Sequence, residues 1–224
     1  MDCQCTHLLV DTGKVGSILE RGGIPRFIFQ ETDGSLDIEV SDPCPYVAFS
    51  HVWADGLGNA RANSLPICQF KRLWKYVVAL SEGLKSQLEC LSLGFWIDTL
   101  GVPLQRDRRK IALKSLPRAY EFSSCCLVLD EELLRVPAKT SVEEICMRIV
   151  LSTWSRRLWT FQEGVLTWDK LFFQLHEGPV QLLDFRNDEN QSYLYSSLRL
   201  ECLEEAVSRA SQTSKTPLTP SSGT

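Results

Sequence analysis

The sequence predicts an α/β fold: a mostly parallel sheet with flanking helices, plus an N-terminal β-hairpin. Three observations predict it. The apolar runs Tyr46-Val-Ala-Phe-Ser50, Phe95-Trp-Ile97 and Leu127-Val-Leu129 are too short for helices and read as buried strands. Helix-period segments lie between them, and strands alternating with helices imply a parallel sheet covered by helices. Upstream, residues 26–30 and 35–40 flank Thr32-Asp-Gly34, and Asp-Gly between two strand-like runs is a hairpin signal.

The whole-chain properties narrow the function classes. At 224 residues there is enough chain for one sizeable core with extensions. The pattern divides it into an extension with the hairpin (1–43), an α/β domain (44–180), a helical extension (181–211) and a Ser/Thr/Pro-rich tail (212–224) expected to be disordered. A net charge of −4 argues against a nucleic-acid partner held by phosphate neutralisation. The one basic cluster, Arg106, Arg108, Arg109 and Lys110, opposes the dipole at a helix start and reads as exposed rather than functional. No secretory pattern opens the chain and no apolar run reaches membrane-spanning length, so the expectation is a cytoplasmic protein with no membrane partner. Nine cysteines, an odd number, then read as reduced thiols. Cys3-x-Cys5-x-His7, alone or with Cys44, lacks a second spaced pair, so no metal centre is predicted.

Taken in order, residues 1–25 are glycine-rich and weakly patterned, and no element is assigned to them. After the hairpin, the first buried strand runs into Ser50-His51-Val52-Trp53 and a turn-rich loop. Ligands of open α/β sheets sit where strands end in such loops. His51 is either part of a site or an ordinary hydrogen-bonded histidine at a strand end. Ser64-Leu-Pro66 reads as a helix start, with Ile67, Phe70, Trp74, Val77 and Val78 at helical spacing behind it. The second strand reaches Asp98, which either contacts a ligand hydroxyl or caps the next helix. That helix spans 107–122, and Pro117 inside it predicts a kink or two shorter helices. The third strand ends at Asp130, and Ser141-Val-Glu-Glu144 is a capping box opening the next helix. Lys170-Leu-Phe-Phe-Gln-Leu175 reads as another strand, and 191–210 as a last helix.

The stretch from Trp154 to Glu163, read at 100° per residue, separates into two faces. Trp154, Leu158, Phe161 and Val165 form an apolar stripe, with Arg156, Trp159 and Glu163 opposite. A guanidinium, an indole and a carboxylate on one face make a candidate site; a solvated face with an Arg–Glu pairing is the alternative. There is no P-loop, no GxGxxG and no GxSxG elbow, which disfavours the common nucleotide-binding and hydrolase designs.

Together these motifs resemble the fungal heterokaryon-incompatibility (HET) domain. Tyr46-Val-Ala-Phe-Ser-His-Val-Trp53 is similar to its opening motif and Trp96-Ile-Asp-Thr-Leu-Gly-Val-Pro103 to its second. The run Ile111-Ala-Leu … Ala119-Tyr120 … Leu127-Val-Leu-Asp130 is similar to its middle segment, and Arg157-Leu-Trp-Thr-Phe-Gln-Glu163 to its last. The resemblance implies a flavodoxin-like, TIR-like fold and a role in fungal self/non-self recognition and programmed cell death, through self-association or a partner signalling protein. Through the enzymatic TIR domains it further implies cleavage of NAD, as substrate, with no resident cofactor. It makes Glu163 the catalytic carboxylate, with Ser50, His51, Trp53, Asp98, Arg156 and Trp159 as substrate-binding residues. Trp159 would stack on a ring and Arg156 would hold a phosphate. A non-catalytic interaction module, or a degenerate HET module, is the alternative. The chain departs from the family in three places: Gly101 stands where Cys is common, Leu104-Gln105-Arg106 replaces polar residues, and Pro117 interrupts a helical segment.

Overall fold

The computed structural model describes residues 5–32, 35–41, 45–83, 93–137 and 139–182. Its strands are β1 (His7–Leu9), β2 (Arg26–Thr32), β3 (Ser35–Ser41), β4 (Tyr46–His51), β5 (Ser64–Pro66), β6 (Gly94–Trp96), β7 (Cys125–Leu129), β8 (Leu171–Gln174) and β9 (Pro179–Gln181). Its helices are α1 (Thr12–Glu20), α2 (Ile67–Gly83), α3 (Asp98–Gly101), α4 (Arg106–Glu121), α5 (Val142–Leu151) and α6 (Leu158–Leu166). Seven strands form one sheet in the order β3-β2-β6-β4-β7-β8-β9. The central four, β6-β4-β7-β8, are parallel. In chain order they run 2-1-3-4, as in flavodoxin-like doubly wound sheets. The hairpin β2–β3 extends this sheet antiparallel from β6, β9 closes the other edge, and β1 with β5 makes a separate ribbon.

The expected α/β class and the three expected strands are therefore present and adjacent, and β4, β6 and β7 are buried along their whole length. Their apolar runs are continuous because both faces are covered. Alternate residues separate into two cores: Val47 and Phe49 pack with Phe70 and Leu73 of α2, while Ala48 and Val128 pack with Tyr120 of α4 and Ile145 of α5.

Five expectations are corrected. Ser64–Pro66 is a strand and not a helix start: it pairs with β1, in a segment whose weak pattern predicted nothing, and α2 begins only at Ile67. The buried stripe of α2 is Phe70, Leu73, Val77 and Leu80, which leaves Val78 exposed. Residues 1–25 also hold α1, capped by the Asp11 side chain on the Gly13 and Lys14 amides, with Val15, Ile18 and Leu19 in the core. Pro117 does not divide α4, which is one helix; near the C-terminal end its missing N–H removes a single ladder bond. Finally, Trp154 and Arg156 are not helical. The chain leaves α5 through a turn and α6 starts at Leu158. Asp130 at the end of β7 accepts the Trp154 backbone N–H at 3.0 Å, and Ser152 and Ser155 hydroxyls bond the backbone at Ile149 and Val150. Those tertiary and local bonds replace the helical ladder there.

The expected helix at 191–210, the tail at 212–224, the side chains of Leu158 and Phe161, and Cys3 and Cys44 lie outside the described residues. Among the described residues no three His, Cys, Asp or Glu side chains gather as metal ligands, and no helix is long and apolar enough to cross a membrane.

Candidate active site

A cleft of about 350 Å³ opens at the C-terminal ends of β4 and β6. Its walls are His51, Trp53 and Asp98 from the strand ends, Arg109, Leu113 and Tyr120 from α4, and Arg157, Trp159 and Glu163 at α6. This is the edge at which doubly wound sheets bind ligands, and the volume falls within the ~300–1,000 Å³ of small-molecule sites.

The strand ends are tied to one another. Asp98 is the first residue of α3, and its carboxylate does not cap that helix. It accepts from His51 Nε2 at 2.8 Å on one oxygen and from Trp53 Nε1 at 2.6 Å on the other. Burial works to raise the Asp98 carboxyl, but the hydrogen bond and charge of His51, then Trp53 and the Thr99 amide, outweigh it, and the group sits below its usual value. The loop behind it is fastened by buried Asn63, whose amide donates to the Thr99 and Val102 carbonyls at 2.9 and 2.8 Å. Thr99 Oγ1 donates to Leu57 O at 2.7 Å. Gly56 turns the β4 loop at φ +94°, a left-handed conformation that glycine adopts without strain. Gly101 lies against Trp96: a Cβ there would come within 2.6 Å of the indole Nε1. The buried Trp96 indole thus occupies the space that a side chain at position 101 would need.

Glu163 enters from α6. Its carboxylate accepts a short hydrogen bond from Ser50 Oγ, and the Tyr120 hydroxyl lies near it. Tyr120 OH donates to Phe49 O at 3.5 Å. Burial raises the Glu163 carboxyl above its ordinary value and the Asp98 charge adds to the rise, while the Ser50 bond and the nearby Tyr120 hydroxyl offset part of it. Two carboxyls thus share one cleft with their affinities for protons pushed in opposite directions, a pattern that separates chemical roles.

Of the residues expected from the sequence, His51, Trp53, Asp98, Trp159 and Glu163 line the cleft together. Ser50 is fully buried beneath it and touches Glu163. Arg156 is not part of it: from its turn it bonds back to Ser152 O at 3.3 Å. The guanidinium at the site belongs to Arg157, which donates to His51 O at 2.7 Å. Sequence reasoning also missed Tyr120, read as a packing residue, and Arg109, read as surface charge. Arg109 stands on the α4 face that meets the cleft, and its side chain has no partner among the described residues. Helical spacing from Tyr120 back to Leu116, Leu113 and Arg109 was the available signal.

No family profile, curated protein sequence or solved structure matches the chain.

Proposed function

We propose that this protein is a HET-type cell-death signalling domain of fungal self/non-self recognition, acting in the cytoplasm, whose cleft cleaves the nicotinamide–ribose bond of NAD. The observation that carries the reading is the meeting of Glu163 with His51 and Asp98 in one cleft, with Glu163 hydrogen-bonded to Ser50.

Breaking that bond builds oxocarbenium-like positive charge on the ribose, as in glycoside hydrolysis. A fixed carboxylate beside the reacting carbon stabilises that charge, or attacks it, more strongly in the transition state than in the ground state. Glu163 is held by the Ser50 hydroxyl at one of its own oxygens and is suited to that role. Nicotinamide leaves as a neutral molecule from a cationic bond, so a strong general acid is not required. Exposed Trp159 at the mouth supplies a ring face for stacking. Arg109 and Arg157 supply cationic forks suited to phosphate oxygens.

Incubation of the purified protein with NAD tests the reading. Nicotinamide release by the wild type, and its loss in Glu163→Gln, are expected; equal rates in the two proteins would exclude Glu163 as the catalytic carboxylate. The exposed Trp159 and Leu113 at the rim favour a second reading, a docking surface for a second copy or a signalling partner. In that case cell killing would survive Glu163→Gln and fail in Trp159→Ala.

A further inference from the structure

We propose that Trp154 is a positioning residue that aims the Glu163 carboxylate by fixing the hydroxyl rotor of Ser50. The role in catalysis rests on the reading of Glu163 given above, whereas the orientation of the carboxylate does not.

The argument follows from what each group can donate. An indole N–H only donates, and a serine hydroxyl has one proton and two acceptor sites. Trp154 Nε1 donates to Ser50 Oγ at 2.5 Å. With an acceptor site of Ser50 filled from that side, its single proton is directed to the other neighbour, Glu163 Oε2. Ser50 therefore has no proton left for a substrate, and its complete burial fits a supporting position rather than a binding one.

Trp154 is itself fixed. Its backbone N–H is held by Asp130 at 3.0 Å, and its ring stands edge-on to Phe173 with centroids 5.4 Å apart. The far edge of the ring abuts Gly164, the residue after Glu163: a Cβ there would lie 3.3 Å from the indole. One side chain thus touches both the hydroxyl that holds the carboxylate and the helix that carries it. Ser50 presents its proton to Glu163, which keeps it a hydrogen-bond acceptor with a set direction.

The test is a carbon-detected NMR titration of the Glu163 carboxyl in protein labelled with ¹³C-glutamate, for wild type, Ser50→Ala, Trp154→Phe, the double variant, and Phe173→Leu as a packing control. The Ser50 bond holds the Glu163 value down. The midpoint is therefore expected to rise in Ser50→Ala and in Trp154→Phe, and to stay at wild type in Phe173→Leu. In the double variant it should rise no further than in Ser50→Ala, because Trp154 acts through Ser50. With NAD, Trp154→Phe is expected to lose roughly 10- to 100-fold in kcat with KM little changed, since displacement of a reacting group costs that much. A folded Trp154→Phe protein with a wild-type midpoint would overturn the proposal. Should Trp154→Phe not fold, Ser50→Ala decides: the Trp154 indole N–H resonance must move and exchange faster, and an unchanged resonance overturns the proposal. A wild type that releases no nicotinamide sinks the enzymatic reading alone, because the titrations still judge the relay.

Discussion

Glu163 is under two opposed demands, and the opposition can be measured. Its folded-state proton affinity is raised, chiefly by burial. For a group of that kind the stability contribution is present below the unfolded value and is lost as pH rises through the folded one. Once deprotonated, the side chain therefore weakens the fold while it serves the proposed reaction. Glu163→Gln is expected to unfold at the same temperature as wild type or higher at pH 7, and to release nicotinamide about 100-fold more slowly or not at all. Asp98 has the opposite sign, because its value is lowered by His51 and Trp53 against the effect of burial. Its contribution is present above the unfolded carboxylate value and is lost as pH falls through the folded one. Asp98→Asn should thus cost about 1–3 kcal/mol at pH 7, as charge-assisted bonds are replaced by neutral ones, and the cost should shrink in acid. Thermal unfolding of both variants from pH 3 to pH 8 checks the pair of signs; two curves bending the same way would refute the assignment.

At the scale of elements, the legible part of the chain is the part whose structure is set by local pattern. β4, β6 and β7 are buried on both faces, so their residues had to be apolar throughout, and the Ser141 cap of α5 is a contact between residues three apart. The turn before α6 was not legible because it is made by Asp130, 24 positions upstream, accepting the Trp154 amide. Without that bond in view, the helical period was carried back to Trp154 and put the wrong arginine on the site face. The same blindness applies to Arg109: a cluster of four basic residues carries no sign of which one faces a cleft, and only the docking of α4 against α6 selects it. The two arginines give a direct test. Arg156→Ala should leave nicotinamide release and stability at wild type, the latter within about 0.5 kcal/mol as for ordinary surface changes. Arg157→Ala should lower kcat/KM by 10-fold or more, since removing a charged donor costs about 1.5–3 kcal/mol. Reversal of these two outcomes would restore the helical reading of the whole stretch.

For the whole molecule, the open question is where the folding unit begins. The motifs start near residue 44, and from the sequence the hairpin looks like an appendage. In the fold it is not separable: β2 pairs with β6, and the tilted rings of Phe27 and Phe95 pack with centroids 5.8 Å apart. Val15, Ile18 and Leu19 of α1 enter the same core, and Arg108 of α4 reaches back to Glu20 and the Thr12 carbonyl. Deleting residues 1–43 would remove six buried apolar side chains, Val10, Val15, Ile18, Leu19, Phe27 and Phe29. At roughly 1.5–3 kcal/mol for each buried side chain, that is on the order of 10 kcal/mol. A loss of this size is comparable to the whole stability of a typical domain, ~5–15 kcal/mol. It would also uncover Phe95 and the β6 edge, an unpaired strand beside exposed apolar surface and a known route to aggregation. A fragment of residues 44–182 is therefore expected to be insoluble or to lack a cooperative thermal transition, although it holds every residue of the cleft. A soluble fragment that unfolds cooperatively and binds or cleaves NAD like the full chain would show instead that the motif-bearing segment folds alone and that the N-terminal elements are an addition to it.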